Sequence, residues 1–142
     1  PYTPLMLSYN TMIQKDSMYN TPPCWCIYML GLVLDWVEEQ GGLAGMVARK
    51  KARAQMLYDT LDTSRMFTCP VEKEARSDMN VVFRTGDTEL DAAFVKASTE
   101  AGFSNLKGHR LVGGMRASIY NAMPVEGVEK LCEFIRAFER SH

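Results

Sequence analysis

Between Leu106 and Met123 the sequence reads LKGHRLVGGMRASIYNAM, which sets His109, Arg110 and Arg116 within eight positions around the pair Gly113-Gly114. Arginine suits two-pronged binding of carboxylate or phosphate, and its charge persists throughout the neutral range. Histidine adds a donor whose charge depends on pH, and glycines let backbone amides and a ligand approach closely. The segment therefore reads as an anion site. A plainer reading stands beside it: Arg110 and Arg116 pair with Asp or Glu on neighbouring helices, and His109 is a turn residue.

A second candidate is SMYNTPP, residues 17–23. Asn20 and Thr21 there precede a helix start, where free amides and the helix dipole favour a phosphate. The plainer alternative makes Thr21 only a cap and Asn20 only a turn residue. Elsewhere the chain has no nucleophile triad, no paired carboxylates in a defined frame and no glycine-rich phosphate loop. Cys24, Cys26, Cys69 and Cys132 follow no metal-ligand spacing and read as buried free thiols of a reducing compartment. No metal site is expected.

The bulk properties narrow the partners. A net charge of -1 with scattered cations gives no field for nucleic acid. The longest apolar run, Ile27 to Leu34, is far short of the ~20 residues that cross a bilayer. Both statements favour a protein of the cell interior with neither nucleic acid nor membrane as partner. At 142 residues, one core is the default expectation.

These side chains need elements to position them. Residues 1–23 show no sustained period and carry prolines at both ends, so an irregular arm is expected. Thr21 is placed to cap a helix, CWCIYMLGLVLDWVEEQ, that accepts Pro22 and Pro23 in its first turn, is apolar around most of its circumference and stops at Gly41-Gly42. Such a helix should pack on more than one side. A second helix carries Leu43, Met46, Val47, Ala54, Leu57, Tyr58 and Leu61 at helical spacing, with RKKAR as its solvated face. MFTCPV and MNVVFRT read as strands and EKEARSD as a connecting loop. Asp87 or Thr88 caps a third helix with Leu90, Phe94, Ala97 and Ala101 on one face. RASIY reads as a strand, and a last helix after Pro124 aligns Val128, Leu131, Cys132, Ile135 and Phe138. The ten methionines mostly fill apolar helical positions. The fold class predicted is α/β, an α+β domain with a short, mostly antiparallel sheet covered by helices, comprising an arm over 1–23 and a small domain over 24–142.

Taken together, SMYNTPP, GLVLDWVEEQGG, MNVVFR, LKGHRLVGGMRASIYNAMP and EGVEKLCEFIRAF resemble the C-terminal part of the phosphoserine aminotransferase family, in order and over nearly the whole chain. Departures are few: Cys24-Trp25 follow NTPP where Thr-Phe is frequent, Val82 replaces a frequent proline and Leu111 a frequent serine. The resemblance implies a class V, fold-type I transferase that uses pyridoxal 5'-phosphate, a cytoplasmic homodimer of serine biosynthesis with active sites at the subunit interface. It implies transfer of an amino group between glutamate and 3-phosphohydroxypyruvate, giving phosphoserine and 2-oxoglutarate. By the same resemblance, Asn20 and Thr21 bind the cofactor phosphate of the neighbouring subunit, Arg116 holds the substrate α-carboxylate, and His109 and Arg110 lie near the distal phosphate or carboxylate.

The family's Schiff-base lysine lies upstream, and none of Lys15, Lys50, Lys51, Lys73, Lys96, Lys107 and Lys130 stands in its context. The aromatic that stacks on the pyridine ring and its aspartate partner are also missing. The chain is thus expected to be a truncated product, an isolated domain or one part of a longer polypeptide, inactive alone, and import into an organelle stays open. A stand-alone, non-catalytic module that pairs with a full-length subunit is the second hypothesis.

Overall fold

The computed structural model describes residues 2–142, so Pro1 of the expected arm lies outside the described residues. The chain forms two compact units, one ending at Gln40 and one spanning Gly41–His142.

In the first unit the arm is less irregular than its composition suggests. A 3-10 turn spans Leu5–Leu7 and helix α1 spans Tyr9–Ile13. Helix α2, Cys24–Glu39, follows. Thr21 does not cap it: the cap position is Pro23, with no side-chain capping bond. Neither proline offers an amide, and a residue before proline is driven to extended backbone, so the first free amides lie beyond the reach of Thr21. None of the three elements buries a residue within its unit. Trp25 is 71 % exposed and Leu30 57 %, so the packing expected around α2 is not supplied by the described residues.

The second unit holds the core. Helix α3 spans Gly42–Thr63 and strand β1 spans Asn80–Phe83. Helix α4 covers Thr88–Glu100, strand β2 Met115–Ser118 and helix α5 Val125–Ser141. The strands pair antiparallel, with Asn80 opposite Ser118 and Val82 opposite Arg116. Strand side chains alternate between faces, so Val81, Phe83, Met115 and Ala117 are buried, while Asn80, Val82, Arg116 and Ser118 line the other face. Onto the inner face pack Leu57 and Leu61 of α3, Phe94 of α4 and the five predicted residues of α5. Phe67, Phe83, Phe94 and Phe138 meet edge-on or tilted, the tightest pair being Phe67 and Phe94 at 5.0 Å. Asp87 caps α4 as predicted, its Oδ1 accepting from the Glu89 amide at 2.8 Å.

Several details differ from the sequence reading. MFTCPV is no strand: Thr68 alone bridges to Arg84, and Pro70, lacking an amide, cannot extend the ladder. Leu43 and Ala101 are exposed rather than facing the core. Arg53 is buried at 4 % exposure although RKKAR reads as a solvated face. Its Nη1 donates to the carbonyls of Asn121 and Met123, while Nε and Nη2 are buried without partners. Burial first, and Arg49 next, hold this guanidinium below the usual arginine range. Of the four thiols only Cys132 is buried, and Cys24 and Cys26 are exposed.

Candidate functional site

The connection into β2 is a clasped turn. Gly108 N donates to Gly114 O at 2.8 Å, and the amides of Val112 and Gly113 both donate to His109 O. A Cβ on Gly108 would stand 2.1 Å from Gly113 O, and one on Gly114, at φ +64°, would stand 2.8 Å from Phe83 O. Both positions require glycine because backbone approaches backbone there. The turn leaves His109 and Arg110 exposed at its tip. His109 Nδ1 accepts from the Leu111 amide at 3.2 Å, which puts the proton of the neutral ring on Nε2 and leaves that nitrogen as a donor.

Beside the turn lies a cavity of about 390 Å³ whose charged lining is Lys96, Lys107, Arg110 and Asp91, with His109 among the remaining walls. Asp91 Oδ1 already accepts from the Thr85 amide and hydroxyl, both at 2.8 Å. Three cations therefore face one engaged carboxylate, a balance that suits an anion. The sequence reading did not assign Lys96 or Lys107; Lys107 stands inside the quoted motif, whereas Lys96 reads simply as a polar helical residue.

Arg116 sits on the outer face of β2, half-buried, with Nε buried and unpartnered. Ion pairs among the described residues join Lys50 to Asp78 and both Lys73 and Arg76 to Asp62; none engages Arg110 or Arg116. The plainer reading, in which these arginines are structural ion-pair partners, thus finds no support among the described residues. On the same face Asn80 Oδ1 accepts from the Ser118 hydroxyl at 3.1 Å and the Tyr120 hydroxyl at 3.3 Å. A larger cavity of about 660 Å³ along α3 has a charged lining of Lys51, Lys73 and Arg76 against Asp59, Asp62 and Asp78, so its charges balance.

Asn20 and Thr21 belong to the first unit and His109, Arg110 and Arg116 to the second. Asn20 and Thr21 are exposed; the Asn20 amide has only a long contact to Met6 Sδ, 3.8 Å, and the Thr21 hydroxyl is not used as a cap. Among the described residues there is no cluster of metal-ligating side chains, and no helix is long and apolar enough to cross a membrane.

The sequence profile for the family described as aminotransferase class-V matches residues 3–131. The phosphoserine aminotransferase of Lactiplantibacillus plantarum is 56% identical over 98% of this chain and 39% of its own length. That of Nitrosomonas europaea is 51% identical over 99% and 38%. Among solved structures, phosphoserine aminotransferase from Bacillus circulans subsp. alkalophilus superimposes with a TM-score of 0.92 at 48% identity, covering 99% of this chain and 39% of that one. A PLP-bound phosphoserine aminotransferase from Trichomonas vaginalis gives 0.86 at 38% identity, covering 96% and 39%. The chain spans about two fifths of the length of these relatives, and its matched profile together with the shared fold establishes that it belongs to the class-V aminotransferase family.

Proposed function

We propose that this chain is the C-terminal portion of a phosphoserine aminotransferase, moving an amino group between glutamate and 3-phosphohydroxypyruvate. The observation that carries the reading is the pair Arg110 and Arg116, both without a carboxylate partner among the described residues, in a chain half identical throughout to enzymes of that name. Both substrates are anionic at two ends, and one cationic holder on the glycine-clasped turn and a second on the strand that follows it match that chemistry.

In this reading Arg116 grips the α-carboxylate with its two-pronged guanidinium. Arg110 and the Nε2–H of His109, with Lys96 and Lys107 beside them, take the distal phosphate of one substrate and the distal carboxylate of the other. The rigid clasp keeps the two anion holders apart, so the substrate lies with its α-carbon in one place for both half-reactions. Asn20, whose amide makes only the long contact to Met6 Sδ, and Thr21, whose hydroxyl caps no helix, suit the phosphate of pyridoxal 5'-phosphate in a homodimer whose neighbouring subunit holds the ring. When bound, that cofactor supplies the electron sink that lets an amino group leave one carbon skeleton and join another. In this reading the lysine that would hold it covalently lies in the three fifths of the relatives' length that this chain does not span.

The test is a chimera in which residues 1–142 replace the matched segment of the Lactiplantibacillus plantarum enzyme. Turnover of 3-phosphohydroxypyruvate with glutamate, followed by 2-oxoglutarate release, is the expected result. A folded, cofactor-loaded chimera that is inert while its parent is active refutes the reading.

A further inference from the structure

The outer face of the sheet carries more than Arg116. Asn80 stands opposite Ser118, and Arg116 is two positions before Ser118, so Asn80 is the diagonal neighbour of Arg116 on that face. Diagonal side chains on an antiparallel pair lie within about 7–8 Å and reach a common point when they are long. An amide oxygen has two lone pairs, and both hydroxyls, from Ser118 and Tyr120, are delivered to Asn80 Oδ1. What remains of the Asn80 amide is its two N–H donors, for which the described residues supply no acceptor. Arg116 is donor-only, with Nε buried and unpartnered. The face therefore offers one guanidinium and one neutral amide on a diagonal of the strand pair, with the amide's acceptor atom already taken.

We propose that Asn80 is a second binding residue for the substrate α-carboxylate, its Nδ2 donating to the carboxylate that Arg116 holds. Ser118 and Tyr120 are then positioning residues, because their hydroxyls fix which way the amide faces. The assignment rests on the role given to Arg116 above. It also explains why an amide suits the position better than an acid: an aspartate would satisfy the same two hydroxyls and repel the ligand.

That contrast supplies the experiment. In the cofactor-loaded chimera, Asn80→Ala and Asn80→Asp are compared with the unmutated protein for glutarate affinity by calorimetry, a readout independent of turnover, and for the KM of glutamate. Removal of one neutral donor in Asn80→Ala should weaken glutarate about three- to tenfold. Asn80→Asp should weaken it more than Asn80→Ala, by over about tenfold, since a like charge replaces the donor. A purely structural clamp predicts the opposite order, because aspartate still accepts from both hydroxyls and alanine cannot. Asn80→Asp binding as well as the unmutated protein, or Asn80→Ala within about twofold of it, overturns the inference. An unmutated chimera without transaminase activity overturns the functional reading and this inference together; an active one with the wrong order of variants overturns this inference alone.

Discussion

Replacing Gly108 by alanine tests whether the turn is a geometric device or merely a connection. The added Cβ would meet Gly113 O at 2.1 Å, Gly114 O at 2.7 Å and Gly113 C at 2.9 Å. Carbon and carbonyl oxygen cannot share such distances, so the chain must open by about 1 Å, and backbone atoms cannot swing aside as a side chain would. The hydrogen bond from Gly108 N to Gly114 O, 2.8 Å long, is the first to break. Its net worth and the strain of overpacking together amount to about 1.5–4.5 kcal/mol of stability. Function should suffer more, because a misplacement of about 1 Å in groups that orient substrate costs roughly a hundredfold. We expect Gly108→Ala in the chimera to lower kcat/KM for phosphoserine by roughly ten- to a hundredfold while the protein stays folded. Gly113→Ala is the control: at φ +76° with nothing within 4 Å of its Cβ, it carries backbone strain of about 1 kcal/mol and no clash. Steady-state kinetics and circular dichroism on both variants decide the matter. Gly108→Ala at parental efficiency, or the two variants equally impaired, would refute the claim that the close approach at Gly108 positions the anion holders.

Arg116→Lys should reduce kcat/KM for glutamate and phosphoserine alike, roughly ten- to a hundredfold, whereas Arg110→Ala should penalise phosphoserine more than alanine as amino donor; equal small decreases everywhere would return both arginines to a structural role. Phe94→Ala removes the ring that meets Phe67, Phe83, Phe134 and Phe138 at 5.0 to 5.8 Å and should cost about 3–5 kcal/mol by urea denaturation; a decrease below about 1 kcal/mol would contradict the placing of the core. The Tyr58 phenol, which donates to Ser77 O at 2.9 Å beneath the Arg76 guanidinium, is pushed up to about 12 by burial first and by Cys69 next. A raised value means that the fold favours the protonated phenol, so its contribution is intact below the ordinary tyrosine value of about 10 and fades as pH rises towards 12. Phenolate absorbance of the parent minus Tyr58→Phe should show that late titration, and a midpoint near the ordinary value would count against it.

Helices α3, α4 and α5 were legible because amphipathic spacing and caps are local properties of the chain. Val128, Leu131, Cys132, Ile135 and Phe138 recur at helical intervals and all five are buried, and Asp87 caps α4 because its oxygen needs only amides two and three residues ahead. The segment that carries His109, Arg110 and Arg116 was also legible, since those residue types cluster within one short motif. What covers an apolar surface was not. Helix α2 is apolar around most of its circumference, yet buries nothing in its unit, because burial depends on partners and not on composition. The strand predicted at MFTCPV became one bridge for the same reason: pairing needs a second edge in register, and only Thr68 meets one, at Arg84. Arg53 looks like any solvated helical cation until the carbonyls of Asn121 and Met123, 68 and 70 positions away, are brought to it. Asn80 has no local signature at all. Its orientation is set by hydroxyls 38 and 40 positions downstream: β-sheet register places Ser118 opposite it, and the chain just beyond β2 brings Tyr120. Local spacing thus sufficed for the periodic elements and for the cations beside a glycine turn. Which polar atoms are satisfied from within, and which are left without a partner among the described residues, was settled by packing, because hydrogen bonds between distant residues leave no trace in the order of their neighbours.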